Sequence, residues 1–117
     1  MSATAITLTK LELNTPVAMP AGAAFDGTDG ALIDFSGDDG KILIILTNTD
    51  SSNAETVTIK AGDSFWAKAD LSISLAASQT KIVTLESGPY LITTGANKKK
   101  LSATASADVK IAAVKLP

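Results

Sequence analysis

The sequence predicts an all-β fold, an antiparallel β-sandwich or jelly-roll-like barrel, and three observations carry that expectation. Hydrophobic residues make up 45% of the chain but aromatic ones only 4%, so its apolar content is mostly Ala, Ile, Leu and Val. β-Branched residues lose rotamer freedom in helices and pack well on a pleated surface, and Thr and Ser fill much of the remainder. Several stretches alternate apolar and polar residues with period two, whereas none carries the 3.6-residue period of an amphipathic helix.

About eight or nine short strands can be read in order. Ile6 and Leu8 share one face of the first, and Leu11 and Leu13 then occupy the other. Such a phase switch marks a bulge, or a strand passing between two environments. Asn14-Thr15-Pro16 ends the run, and the chain continues as loop through Pro20 to Ala24. The dense turn signal Asp26-Gly27-Thr28-Asp29-Gly30 precedes a short strand over Ala31 to Phe35. Ser36-Gly37-Asp38-Asp39-Gly40 is the next turn, and the strand from Lys41 to Asn48 follows. Its residues Ile42 to Leu46 are apolar at five successive positions. Such a strand is covered on both faces, either at the centre of a sandwich or beneath a partner chain, and periodicity does not choose between the two.

Glu55 to Lys60 alternates cleanly with Val57 and Ile59 inward, and Asp70 to Leu75 alternates in the same way. Strands are also expected over Gln79 to Leu85, from Tyr90 to Thr93, from Leu101 to Ala105 and from Val109 to Leu116. Gly62-Asp63, Ser87-Gly88-Pro89 and Gly95 to Lys100 supply breaks between them. No linker or shift in composition divides the chain. The expected organisation is a flexible N-terminal arm over 1–5 and one sandwich domain over 6–117. A chain of this length buries about two-thirds of its unfolded surface, enough for a core of its own.

Composition narrows the function classes. The chain has no Cys, and so neither a disulfide framework nor a thiolate nucleophile. It has no His, the commonest general base and metal ligand. All ten positive side chains are Lys, which lacks the planar fork that reads phosphates and guanine edges bidentately. With a formal net charge of −2, nucleic acid is not an expected partner. The amino terminus shows no charged segment followed by an apolar run, and Ile42 to Leu46 is far too short to cross a bilayer. A soluble protein that binds or assembles, not an enzyme, is the expectation, with no cofactor and no membrane partner.

Four constellations remain. Asp26, Asp29, Asp34, Asp38 and Asp39 form an acidic cluster that offers candidate oxygen ligands for Ca²⁺, chiefly Asp26, Asp29, Asp38 and Asp39. The spacing fits no EF-hand, and Asp and Gly also shape turns through local hydrogen bonds and positive φ. A hydrolytic carboxylate pair would want more aromatic residues beside it than the chain holds. Phe65-Trp66 is the one aromatic pair; neighbouring strand residues point to opposite faces, so one ring belongs in the core and the other at a protein interface, or Trp66 plugs the end of the sandwich. Lys98-Lys99-Lys100 reads as a solvated hairpin tip or a guarded strand edge before it reads as a phosphate patch.

Six stretches carry a resemblance: Gly30 to Phe35, Lys41 to Thr49, Thr56 to Asp63, Asp70 to Ile73, Val83 to Tyr90 and Asp108 to Pro117. Together they resemble small β-sandwich proteins encoded in the head-gene region of tailed phages and prophages. The resemblance implies a capsid decoration (auxiliary head) protein, made in the host bacterial cytoplasm and carried on the capsid surface of the virion. Such a protein binds the major capsid protein, commonly as a homotrimer, and holds neighbouring capsomers together. It also implies that an amino-terminal arm lies on the shell, which makes Thr4 and Ala5 interface candidates beside Phe65 and Trp66. A tail-tube, tail-tip or immunoglobulin-like adhesion domain of a virion is the next expectation. A carbohydrate-binding module resting on Trp66, Phe65 and Tyr90 comes third.

Overall fold

The computed structural model describes residues 3–35, 41–63, 69–96 and 98–117. They form two sheets of five strands packed as a sandwich that does not close into a barrel. The first sheet holds β1 (Thr4–Ile6), β4 (Ala31–Asp34), β9 (Lys100–Thr104), β6 (Glu55–Ile59) and β7 (Leu71–Leu75), in that spatial order. The second runs β2 (Leu8–Lys10), β10 (Val109–Lys115), β5 (Ile42–Asn48) and β8 (Thr80–Val83), with β3 (Ala23–Ala24) also paired to β10. No helix among the described residues is long and apolar enough to cross a membrane.

The core lies between the sheets and is almost wholly aliphatic. Ile33, Ile42, Ile44, Leu46, Val57, Ile59, Leu75, Leu101 and Val109 have no exposed surface, and Phe25 and Phe35 close the cluster at either end of β4. Complete burial of each such side chain is worth about 1.5–3 kcal/mol. The alternations read from the sequence are realised: Val57 and Ile59 point inward, and Leu71, Ile73 and Leu75 face the core while Ser72 and Ser74 are exposed.

Several expectations are corrected. The described residues form ten strands because the first apolar segment splits in two and because Ala23–Ala24, read as loop, pairs with Ile111 and Lys110. The split explains the phase switch. Ile6 faces the core from the first sheet and Leu8 from the second, while Leu11 packs on the outer face of the second sheet. Both pairings of this segment, β1 with β4 and β2 with β10, are parallel, so the sheets are mixed and not purely antiparallel. Thr4 and Ala5, expected in a flexible arm, belong to β1. The Thr4 N–H donates to Gly30 O at 3.0 Å and its hydroxyl to Ala24 O at 3.1 Å.

The strand expected from Tyr90 is also absent. Ser87–Tyr90 forms one helical turn, and the chain then runs irregularly to a turn before β9. Pro89 suits a short helical turn because it has no N–H to donate to a ladder. Its carbonyl accepts the Gly62 N–H at 2.9 Å. A Cβ on Gly62 would lie 2.3 Å from Leu91 O, so only glycine lets these two connections approach so closely.

Among the described residues one polar side chain is buried within this apolar frame. Asn48, at the end of β5, is 1% exposed. Its Nδ2 donates to Asn53 O at 2.9 Å and to Ala76 O at 3.2 Å, and its Oδ1 accepts the Asp50 N–H at 3.0 Å. It therefore ties the β5–β6 connection to the β7–β8 connection, two of the places where the chain changes sheets at that end. Asn48→Ala would leave both carbonyls and the Asp50 amide short of a partner in a buried site. We expect a loss of about 2 kcal/mol, read as a Tm lower by about 8 °C in thermal unfolding. An unchanged Tm would show that the amide is dispensable.

Candidate functional site: the outer face of the second sheet

The two longest strands, β5 and β10, pair over their whole length from Val109 opposite Asn48 to Lys115 opposite Ile42. With period-two geometry, Ile42, Ile44 and Leu46 point into the core, and Leu43 and Ile45 must point away from it. Register sets their neighbours. Ala112, Ile45 and Ile82 form one row across β10, β5 and β8, and Val114 and Leu43 form the next. The outward side of this sheet is therefore apolar too. Lys110, followed by Thr47 and Thr80 with their hydroxyls 3.2 Å apart, ends it on one side.

The chain covers this face only in part. Leu11 packs against Ile45, Ala112 and Val114 in a small second cluster, and residues 17–20 lie beside it. Between them is an open cleft of about 280 Å³ lined by Leu11, Val17, Ala18, Met19, Pro20, Leu43, Ile45, Ile82 and Val114. Among the described residues the strongly exposed large hydrophobic side chains are Leu13, Val17, Met19 and Ile82, and three of these four line this one cleft. Met19 is 72% exposed and Ile82 59%. Contiguous apolar surface of this kind marks a place where something binds, whereas scattered apolar residues do not. The lining side chains have no hydrogen-bonding group, unlike the convergent polar atoms that fix a small ligand in its pocket. What the cleft offers is area and shape, enough for one or two apolar side chains.

The sequence-predicted site residues lie elsewhere. Asp26 is a turn former: its Oδ1 accepts the Thr28 and Asp29 amides, each at 2.9 Å, and these bonds, that of Asp29 foremost, hold its carboxyl below the usual range. Asp29 lies in the same turn, and Asp34 ends β4. Asp38 and Asp39, the other two candidate ligands, fall outside the described residues, as do Phe65 and Trp66. Among the described residues no three acidic side chains are grouped to hold a metal ion. Ala5 lines a second, smaller cleft of about 160 Å³ between β1, β10 and residues 20–23.

Sequence reasoning missed the outer-face cleft because Val17, Ala18 and Met19 stand in a segment that Pro16 and Pro20 mark as loop. Two large apolar residues in such a loop were the available signal. No protein-family model, curated protein or solved structure matches the chain.

Other carboxylates pin loops in the same way as Asp26. Asp50 accepts from the Ser52 amide at 2.8 Å and the Asn53 amide at 3.1 Å, and Asp70 from the Ala61 amide at 2.7 Å; all three bonds favour the charged form. The strongest case is Asp63, which receives the Thr94 hydroxyl on Oδ2 and the Thr93 hydroxyl and amide on Oδ1, all at 2.7 Å. These bonds, the Thr94 hydroxyl first, lower its pKa to about 2. A depressed folded-state pKa contributes stability that is present above the unfolded value and lost as pH falls through the folded one. Asp63 thus supports the fold above about pH 4 and ceases to do so towards about pH 2. Asp63→Asn keeps an acceptor for Thr93 but not the charge. It should lower Tm at neutral pH and reduce the further fall in Tm across that window. An acid profile parallel to that of the unaltered protein would refute this role.

Proposed function

We propose that this chain is a structural virion protein, a capsid decoration protein that binds the outer surface of a phage head and stabilises contacts between capsomers. The observation that carries the reading is the half-covered apolar face of the second sheet, with Val17, Met19 and Ile82 gathered at one cleft. A protein that clamps a shell needs a rigid domain and an apolar surface that is better covered than wet. Here the aliphatic core supplies the first without disulfides, since the chain has no Cys, and β5, β8, β10 and residues 17–20 supply the second. The sequence resemblance to head-region proteins of tailed phages supplies the identity of the shell.

The energetics suit a repetitive target. Each large side chain taken fully out of water on docking contributes about 1.5–3 kcal/mol, part of which the loss of translational freedom offsets. A single contact of this size is modest. A domain that touches two capsomers at once gains by making the second contact intramolecular.

Co-sedimentation with purified heads that lack this protein tests the proposal. The unaltered chain should pellet with heads in a saturable manner, and Met19→Asp combined with Ile82→Asp should weaken binding by about 10- to 100-fold. Both side chains are largely exposed, so circular dichroism should show an unchanged fold. Failure of the unaltered protein to pellet at saturating concentration would overturn the function. Undiminished binding of the double variant would overturn the assignment of the face.

A further inference from the structure

An open strand edge offers a row of unpaired N–H and C=O groups, and proteins normally guard such edges by shortness, by lysine or proline, or by a bulge. The two sheets end in β1, β7, β2 and β8, with the two-residue β3 beside β10 as a further edge. β1 and β2 are three residues each, β2 carries Lys10, and β8 carries Lys81. β7 has none of these devices. It is five residues long, Leu71-Ser72-Ile73-Ser74-Leu75, without charge, proline or glycine, and among the described residues its strand partner is β6 alone. Leu75 is fully buried while Leu71 and Ile73, which face the same core, are only half-buried.

The segment also reads identically in both directions. An antiparallel pair centred on Ile73 would set Ile73 opposite Ile73 of a second copy, Leu71 opposite its Leu75, and Ser72 opposite its Ser74. A twofold axis perpendicular to the sheet keeps the inner face inward in both copies, so Leu and Ile continue one apolar layer and the exposed Ser residues meet outside it. Asp70 would stand opposite Ala76, so no like charges oppose each other. We propose that β7 is a homodimer seam, joining the first sheets of two copies into one continuous sheet about a twofold axis. A second copy is the fitting occupant because the palindrome lets this edge meet itself with apolar residue opposite apolar residue and Ser opposite Ser at every position.

One strand pair is a small interface, so association should depend on concentration. Sedimentation equilibrium of the protein alone should show the mass rising from 11.9 kDa towards twice that value between about 1 μM and 1 mM. Ser72→Lys with Ser74→Lys places lysine opposite lysine twice across the axis and should hold the protein monomeric over that range. Ser72→Lys with Ser74→Glu places opposite charges there and should restore the dimer. Both positions are exposed, so the thermal midpoints of the two variants at low concentration should match. A protein that stays monomeric at the highest concentration, a trimer, or a dimer that survives the paired lysines would each overturn the seam. The measurement contains no phage heads, so its failure leaves the head-binding result standing, and the converse also holds.

Discussion

The amide of Asn48 is the contact on which the geometry of one end of the sandwich depends. It lies where β5 leaves the second sheet and where β7 hands the chain back to it, and it bonds to both connections at once. A buried amide without partners would destabilise the fold, but with its groups satisfied it fixes the relative position of the loops that bridge the sheets. Around it the Asn48 N–H donates to Gln79 O at 2.9 Å, the Ser78 N–H to Asp50 O at 2.9 Å, and the Ala76 N–H to Gln79 Oε1 at 2.8 Å. These bonds make a corner in which polar groups reinforce the register that burial of the alternating core residues already specifies.

The opposite requirement governs the rest of the molecule. Along β4, β5, β6, β8, β9 and β10 the chain changes sheets repeatedly, and among the described strands β6 and β7 are the one consecutive pair that lie side by side in the same sheet. Most pairings therefore join distant parts of the sequence, and the centre of the second sheet forms only when β10, near the C-terminal end of the chain, reaches β5 and β2. Folding to such a topology is slow relative to folds rich in local contacts. It also places the two longest strands side by side, which is why their outward residues make a broad apolar face.

Two unfinished surfaces result, and they differ in kind. The outer face of the second sheet is unfinished in side chains: Ile45, Ala112 and Val114 are covered by Leu11, while Ile82 and Met19 remain wet. The β7 edge is unfinished in backbone: among the described residues its hydrogen-bonding groups have a strand partner on one side only. The first carries the proposed docking on a capsid and the second the proposed pairing of two copies, and because they belong to different sheets the two proposals do not compete for one surface.

Much of the fold is legible in the sequence. Period-two alternation identified Val57, Ile59 and the inward row of β7, and the phase switch after Leu8 announced a segment that changes environment. Turn chemistry at Asp26 was legible because a carboxylate bonding to amides two and three residues on is a local event. Asn48 was not legible, since nothing around a strand-end asparagine says that Asn53 and Ala76 will lie beside it. The cleft was not legible either, because Val17 and Met19 gain meaning only from Ile45 and Ile82, which the chain brings near them through non-local pairing. The sequence by itself determined which residues share a side of each strand, since that follows from backbone geometry. The tertiary structure alone decided which strands are neighbours, which run parallel and which face stays bare, because backbone hydrogen bonds pair any strand with any other and only packing of the whole chain selects among them.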